Sequence, residues 1–323
     1  MIITRTPFRV SFVGGGTDLG VFYRENGYGA VVSTAIQQYM YIVIHPYFHD
    51  KIRIKYSRTE DVDTVDAIEH PVVRECLKRI GIGTGIEIAS FADIPAGTGL
   101  GSSSSFTVGL LNALYAYTGK VVSKARLAEE ACEIEIDILK EPIGKQDQYA
   151  AAFGGVNYIR FNRDETVDVA PILLTEPALR DIERNLRLYY IGGEHKAGDI
   201  LKQQKRNLSE DRKKFDHMVK MLNLANELND EMNSQQVNAI GTKLHQGWTF
   251  KKQLARGISN RTIDELYEKA MAGGAAGGKL LGAGGAGFLL LWHVDHERLS
   301  QQLGRKTLPL KIDREGSKII FYE

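Results

Sequence analysis

Apolar residues near the start of the chain fall in short β-rich runs at 10–13 and 39–44. They are separated by a glycine-rich stretch, and this predicts strands joined by turns over residues 1–56. A helical pattern over 71–80 follows, and alternation over 86–91 predicts a further strand. The apolar run over 107–115 reads as a helix. Ser123 is a good N-cap, and Leu127, Ala131, Ile134 and Ile138 then make one apolar stripe, so a helix is expected over 123–141, ended by Pro142. Glu129, Glu133, Asp137 and Lys140 fall on its solvated side. Glu135 does not, since it neighbours Ala131, Cys132 and Leu139. Strands are also expected at 156–160, 186–191 and 288–292, and residues 199–272 read as helical and polar. The change of character near residue 180 predicts two domains, 1–180 and 181–323.

Composition narrows the class without naming a chemistry. The chain has 323 residues, 43% hydrophobic and 25% charged, with a net charge of +1. That balance is ordinary for a globular protein and argues against nucleic-acid or membrane-surface partners. Cys76 and Cys132 have no metal-ligand spacing and read as buried free thiols of a reducing compartment. Charges within the first nine residues break the apolar core that a signal peptide requires, and no apolar run approaches a membrane span. A cytoplasmic protein, monomeric or homodimeric, is expected.

Candidate chemistry concentrates in glycine-rich stretches. Pro95-Ala-Gly-Thr-Gly-Leu-Gly-Ser-Ser-Ser-Ser105 follows a strand and opens a helix. Such a turn presents backbone N–H groups and the positive end of a helix dipole, a natural phosphate cradle, and its serines can reach a bound Mg²⁺. Gly14-Gly-Gly-Thr-Asp18 offers a carboxylate either to polyol hydroxyls or to its own turn backbone. Glu135, near a buried face, is either a ligand that needs a partner or a metal, or a flank-position glutamate that snorkels out to water. Asp147, in an expected loop, suits either an Asx turn or a base beside that metal ligand. His195, Lys196, Lys202, Lys205 and Arg206 form either a solvated helical face or an anion site for a substrate phosphate. Other motifs fail on context. Gly273 to Lys279 has P-loop spacing, but Leu280 stands where Ser or Thr must bind Mg²⁺. Gly282, Gly284 and Gly287 match a dinucleotide fingerprint but precede a strand instead of a helix, leaving a glycine loop that packs on another backbone. Ser103 lacks the nucleophile elbow, because Ser105 occupies its second glycine position. His45 and His49 read as structural, and His293 and His296 as surface residues.

Three of these stretches, in order, resemble the GHMP small-molecule kinases. Arg5-x-Pro-x-Arg9 with Gly14-Gly-Gly-Thr-Asp18 is similar to the family's first motif, 95–105 to its ATP-phosphate loop, and Lys279-Leu-Leu-Gly-Ala-Gly-Gly-Ala-Gly-Phe288 to its third. The three glycines before Thr17 depart from the galactokinase pattern and tell against galactose. Together with Gly-Lys-Gln-Asp-Gln-Tyr149 they most resemble the D-glycero-D-manno-heptose 7-phosphate kinases. The resemblance implies a two-domain α+β fold with nucleotide and substrate at the domain junction, and ATP and Mg²⁺ as cofactors. It implies transfer of the γ-phosphoryl group to the sugar's C1 hydroxyl. By motif position, Pro95, Gly97, Gly99, Leu100, Gly101, Ser102, Ser103 and Ser104 would form the nucleotide site, and Ser103 and Glu135 would hold Mg²⁺. Asp147 would be the base, with Arg9 beside it. Gly15, Gly16, Thr17, Asp18, His195 and Lys196 would meet the sugar or sugar phosphate. Two alternatives remain: a kinase for a neutral sugar such as fucose or mannose, and a non-catalytic sensor of ATP and sugar.

Overall fold

The structure is a computed structural model that describes residues 1–193 and 197–323. In chain order its elements are β1 (Ile2–Val13), α1 (Gly20–Asn26), β2 (Tyr28–Pro46), β3 (Ile52–Lys55), β4 (Thr59–Val62), α2 (Pro71–Ile80), β5 (Ile86–Ala92), α3 (Ser102–Tyr117) and α4 (Lys124–Cys132). There follow α5 (Gln146–Phe153), β6 (Val156–Asn162), β7 (Val167–Pro171), α6 (Glu176–Asn185), β8 (Leu186–Gly192), α7 (Ala197–Glu210), α8 (Arg212–Asn233) and α9 (Ala239–Lys251). The chain continues through α10 (Arg261–Ala272), β9 (Gly277–Leu280), β10 (Gly287–Trp292), α11 (His296–Leu303), β11 (Thr307–Pro309) and β12 (Lys318–Tyr322).

The strands form two sheets. The larger runs β12-β1-β2-β5-β3-β4, with β6 and β7 branching from β2, and the smaller runs β11-β8-β10-β9. Strands expected to be short are long: β1 has 12 residues and β2 has 19. Their length escapes the alternation rule because β2 is buried without a break from Gly29 to Ile36. One edge of β2 is shared in sequence, its first half pairing with β6 and its second with β5. Helix α3 packs against β1 and β2, and the Thr4 hydroxyl of β1 donates to the Gly109 carbonyl on α3 at 2.9 Å. A Cβ at Gly109 would lie 2.7 Å from Thr6 Oγ1, so the glycine sets how closely helix and strand approach. The Arg9 N–H of β1 donates to the Leu100 carbonyl at 3.0 Å, which sets the start of α3 beside the middle of β1.

The helix expected over 123–141 is two pieces. The Ser123 cap is present, its hydroxyl accepting from the Arg126 N–H at 3.2 Å. From Glu133 to Ile138 the backbone is a π-helix. The extra residue per turn rotates the end of the stripe, so Ile134 stays buried while Ile138 is 48% exposed, against the expectation for it. Glu135 lands on the buried side. His293 and His296, expected at the surface, are buried too. His296 is held by the Tyr189 hydroxyl at 2.9 Å and lies 2.8 Å from the Asn185 carbonyl, and burial pushes its imidazole down to about 4. Both cysteines are free and buried, as expected.

Candidate active site

The phosphate-loop candidate sits between β5 and α3, as its sequence context requires. Gly101 caps α3 in the left-handed region, with φ 76°, which a side chain would resist. A Cβ there would also press on Arg9 Cγ at 3.1 Å and Asp147 Oδ2 at 3.2 Å. Opposite, the Gly282 loop packs backbone on backbone, and a Cβ on Gly282 would lie 2.5 Å from Gly99 Cα. This is the close approach expected of that loop. Gly97, Gly99, Gly101, Ser102 and Ser103 line a cavity of about 210 Å³. Its other walls come from β1, the Gly14–Gly16 turn, α5, α7, α9 and β9.

Arg9 projects from the middle of β1, almost fully buried. Its Nε and one terminal nitrogen donate to the two oxygens of Asp147, both at 2.7 Å, a bidentate pair. The remaining nitrogen donates to the Gly99 carbonyl at 2.7 Å. Asp147 lies in the first turn of α5, not in a loop as expected. One planar guanidinium therefore ties a carboxylate to the glycine–serine loop.

Asp18 is buried in the same wall. It accepts from its own turn at the Gly16 N–H (2.9 Å) and from the Gln146 N–H (3.1 Å) and amide nitrogen (3.2 Å). Burial raises its pKa, and the nearby Asp147 charge adds to that. Both readings of this residue, turn anchor and cavity acid, are therefore physically present. The Glu135 carboxylate, 1% exposed, accepts four bonds: from Ser103 (3.2 Å), Thr107 (3.0 Å), Ser104 (2.8 Å) and the Gln148 amide (2.6 Å). Burial raises its pKa while these four donors oppose the shift. Among the described residues no group of three or more His, Cys, Asp or Glu gathers as a metal cage.

Some candidates stand apart. Pro95 is exposed at the start of the loop, Leu100 belongs to the core, and Ser104 faces Glu135 and not the cavity. The Thr17 hydroxyl is occupied by the Ala30 backbone at 2.8 and 3.0 Å, while Gly15 and Gly16 line the cavity. Helix α7 presents Leu201 and Gln204 to the cavity and leaves Lys202, Lys205 and Arg206 exposed. The basic cluster proposed for a substrate phosphate therefore faces solvent at these three positions. His195 and Lys196 lie outside the described residues.

The sequence reading missed polar groups in the walls. Ser11 Oγ and Gln146 Oε1 are buried with no hydrogen-bond partner, and both residues line the cavity. Two buried lysines do so as well, Lys251 at the end of α9 and Lys279 on β9. Lys279 Nζ donates to the Ser11 and Phe12 carbonyls at 3.0 and 3.2 Å, and burial holds its pKa well below the usual lysine value. Lys279 stood in a recognised motif, so it could have been found. Lys251-Lys252 reads as an ordinary surface pair and carried no signal.

Comparison with known proteins gives these features a family. The model for the GHMP kinases N terminal domain matches residues 67–155, and that for the GHMP kinases C terminal domain matches 220–309. A D-glycero-alpha-D-manno-heptose 7-phosphate kinase from Campylobacter jejuni is 27% identical over 306 residues, covering 90% of this chain and 89% of the relative. A galactokinase from Pyrococcus furiosus is 25% identical over 332 residues, covering 88% and 87%. Among solved structures, a D-glycero-D-manno-heptose 1-phosphate kinase from Bacteroides thetaiotaomicron superposes with a TM-score of 0.81 at 22% identity, each chain covered in full. The galactokinase of Lactococcus lactis in complex with galactose gives 0.77 at 17%, covering 98% and 94%. With both family domains matched across more than half of its length, the chain belongs to the GHMP kinases, enzymes that use ATP to phosphorylate a hydroxyl group.

Proposed function

We propose that the protein transfers the γ-phosphoryl group of ATP to the C1 hydroxyl of D-glycero-D-manno-heptose 7-phosphate, giving the 1,7-bisphosphate. The observation that carries the reading is the Arg9 fork, which holds Asp147 at the mouth of the phosphate loop. The likeness to the Campylobacter jejuni heptose phosphate kinase supports the choice of acceptor. We keep the domain boundary near residue 180.

Phosphoryl transfer asks the protein mainly for positioning and charge neutralisation. The backbone N–H groups of 97–103 cradle the nucleotide phosphates at the start of α3. Each Asp147 oxygen spends one lone pair on Arg9 and keeps another for the acceptor proton. Arg9 holds that carboxylate in place and adds positive charge beside the transferring group. Asp18 and the Gly15–Gly16 turn meet the sugar hydroxyls.

Magnesium fits the Ser103 hydroxyl, a hard oxygen donor on the cavity wall. Glu135, 1% exposed and already accepting four hydrogen bonds, would join it only by giving up the Ser103 bond at 3.2 Å. That small set suits a cation that takes the rest of its shell from phosphates and water. Bound there, Mg²⁺ would neutralise developing charge on the phosphates.

The test is ADP release with Mg-ATP against the heptose phosphate, mannose, fucose, galactose and mevalonate. Asp147→Asn should lower kcat by about 10²–10⁴-fold and leave ATP affinity near wild type. Retained turnover in that variant would falsify the base assignment. Turnover of a neutral sugar alone would move the acceptor to the second alternative, and ATP binding without turnover would favour the sensor.

A further inference from the structure

The proposed mechanism makes no use of two buried cations in the cavity, Lys251 and Lys279. Lys251 ends α9 and is 7% exposed. Its Nζ donates to the Gly282 carbonyl, and among the described residues no carboxylate forms an ion pair with it. An ammonium has three N–H groups, so two of them have no acceptor among the described residues. The cavity wall that it shares holds Arg9, Asp18, Asp147 and the phosphate loop. The carbonyl it grips belongs to Gly282, the residue packed on Gly99. The ammonium is thus anchored where the glycine loops of the two domains touch. Lys279, by contrast, spends two of its three donors on carbonyls of β1 and keeps one. A cation withdrawn from water without a counter-ion is costly, and the cost is relieved when an anion meets it.

We infer that Lys251 is an oxyanion-binding residue of this cavity, its two unpartnered N–H groups receiving phosphate oxygens from the side of the second domain. The inference rests on the kinase reading above. The phosphate belongs either to the γ-position of the nucleotide or to the acceptor, and the chemistry of recognition is the same. Exposed Lys202, Lys205 and Arg206 leave Lys251 as the cation better placed for it. Burial holds the Lys251 ammonium down at about 8. The charged groups acting on it are Arg9 on β1, Asp18 in the turn after β1, Asp147 on α5 and Lys279 on β9. An arriving phosphate favours the charged form, so affinity should hold below pH 8 and fall as pH rises through it.

The experiment compares wild type with Lys251→Met and Lys251→Arg. Calorimetry measures Mg-ATP and Mg-ADP affinity across pH 6.5–9.5, and kinetics measures KM for heptose 7-phosphate and for unphosphorylated heptose (this range is about 1.5 units either side of pH 8). With the γ-phosphate as ligand, Lys251→Met loses the ATP-over-ADP preference by about tenfold and loses the alkaline fall in affinity, while Lys251→Arg recovers part of both. With the acceptor's phosphate as ligand, the nucleotide ratio holds, and KM rises about tenfold for the sugar phosphate but not for the neutral sugar. An unchanged nucleotide ratio together with equal effects on the two sugars would overturn the inference and leave Lys251 as a prop for Gly282. If wild type binds ATP but phosphorylates nothing, the kinase reading fails, and the ATP-over-ADP ratio alone then decides for or against Lys251.

Discussion

Arg9 does three things with one side chain: it pairs both oxygens of Asp147, holds the Gly99 carbonyl, and brings positive charge to the cavity. Only a planar fork meets all three partners at once. Arg9→Lys keeps the charge and loses the fork, so kcat should fall by about 10²-fold while the fold persists. Arg9→Met also removes the counter-charge from a half-buried carboxylate and should cost about 2 kcal/mol, read as a lower denaturation midpoint. A melting curve for Arg9→Lys close to wild type, beside a collapsed kcat, would separate the positioning role from a purely structural one.

At the scale of elements, the close approach of α3 to β1 keeps the glycine–serine loop beside Arg9. Gly109→Val would push against Thr6 Oγ1 and should destabilise by about 1–3 kcal/mol, measured by urea unfolding. Elements with a local signature were legible in the sequence. Helix α2 spans the stretch its pattern marks, and the Ser123 cap is where the residue type put it. The loop between β5 and α3 was legible because glycine, serine and a preceding strand state its geometry together. Three things were hidden for physical reasons. The continuous burial of β2 erased its alternation, and the π-turn at 133–138 moved Ile138 without changing any residue type. The Arg9–Asp147 pair joins positions 138 apart in the chain, and no local pattern announces a contact of that kind. Asp147, with Arg9 beside it, was named through family resemblance, and its helix-start setting and the bidentate geometry of the pair came from the structure. Lys251 had neither signal.

Across the whole molecule the cavity works against the fold. Burial raises the pKa of Asp18 and Glu135 and lowers that of Lys251 and Lys279, so all four charged forms are disfavoured. For Lys251 the native value of about 8 lies below the unfolded value of 10.5, so the unfolded chain binds the proton more tightly. Stability from this group therefore rises with pH between those values, by roughly 1 kcal/mol per pH unit, and is lost as pH falls through 8. Lys251→Met should accordingly stabilise the ligand-free protein at pH 7 and do so by less at pH 9.5, in denaturant titrations at both values. An equal gain at both pH values would show that the ammonium carries no burial cost.

The larger sheet has a different consequence. Its edge strand β12 pairs Ile3 with Phe321, so β1, which carries Arg9, receives its outer neighbour from the far end of the sequence. During synthesis, β1 is made long before β12 and has an open edge until residues 318–322 have been made. The whole of the smaller sheet and its helices are translated in that interval. Long-range pairing of this kind slows folding, and an unpaired edge invites association with other chains. Until β12 arrives, the outer edge of β1 is a row of unpaired backbone groups open to pairing with other chains.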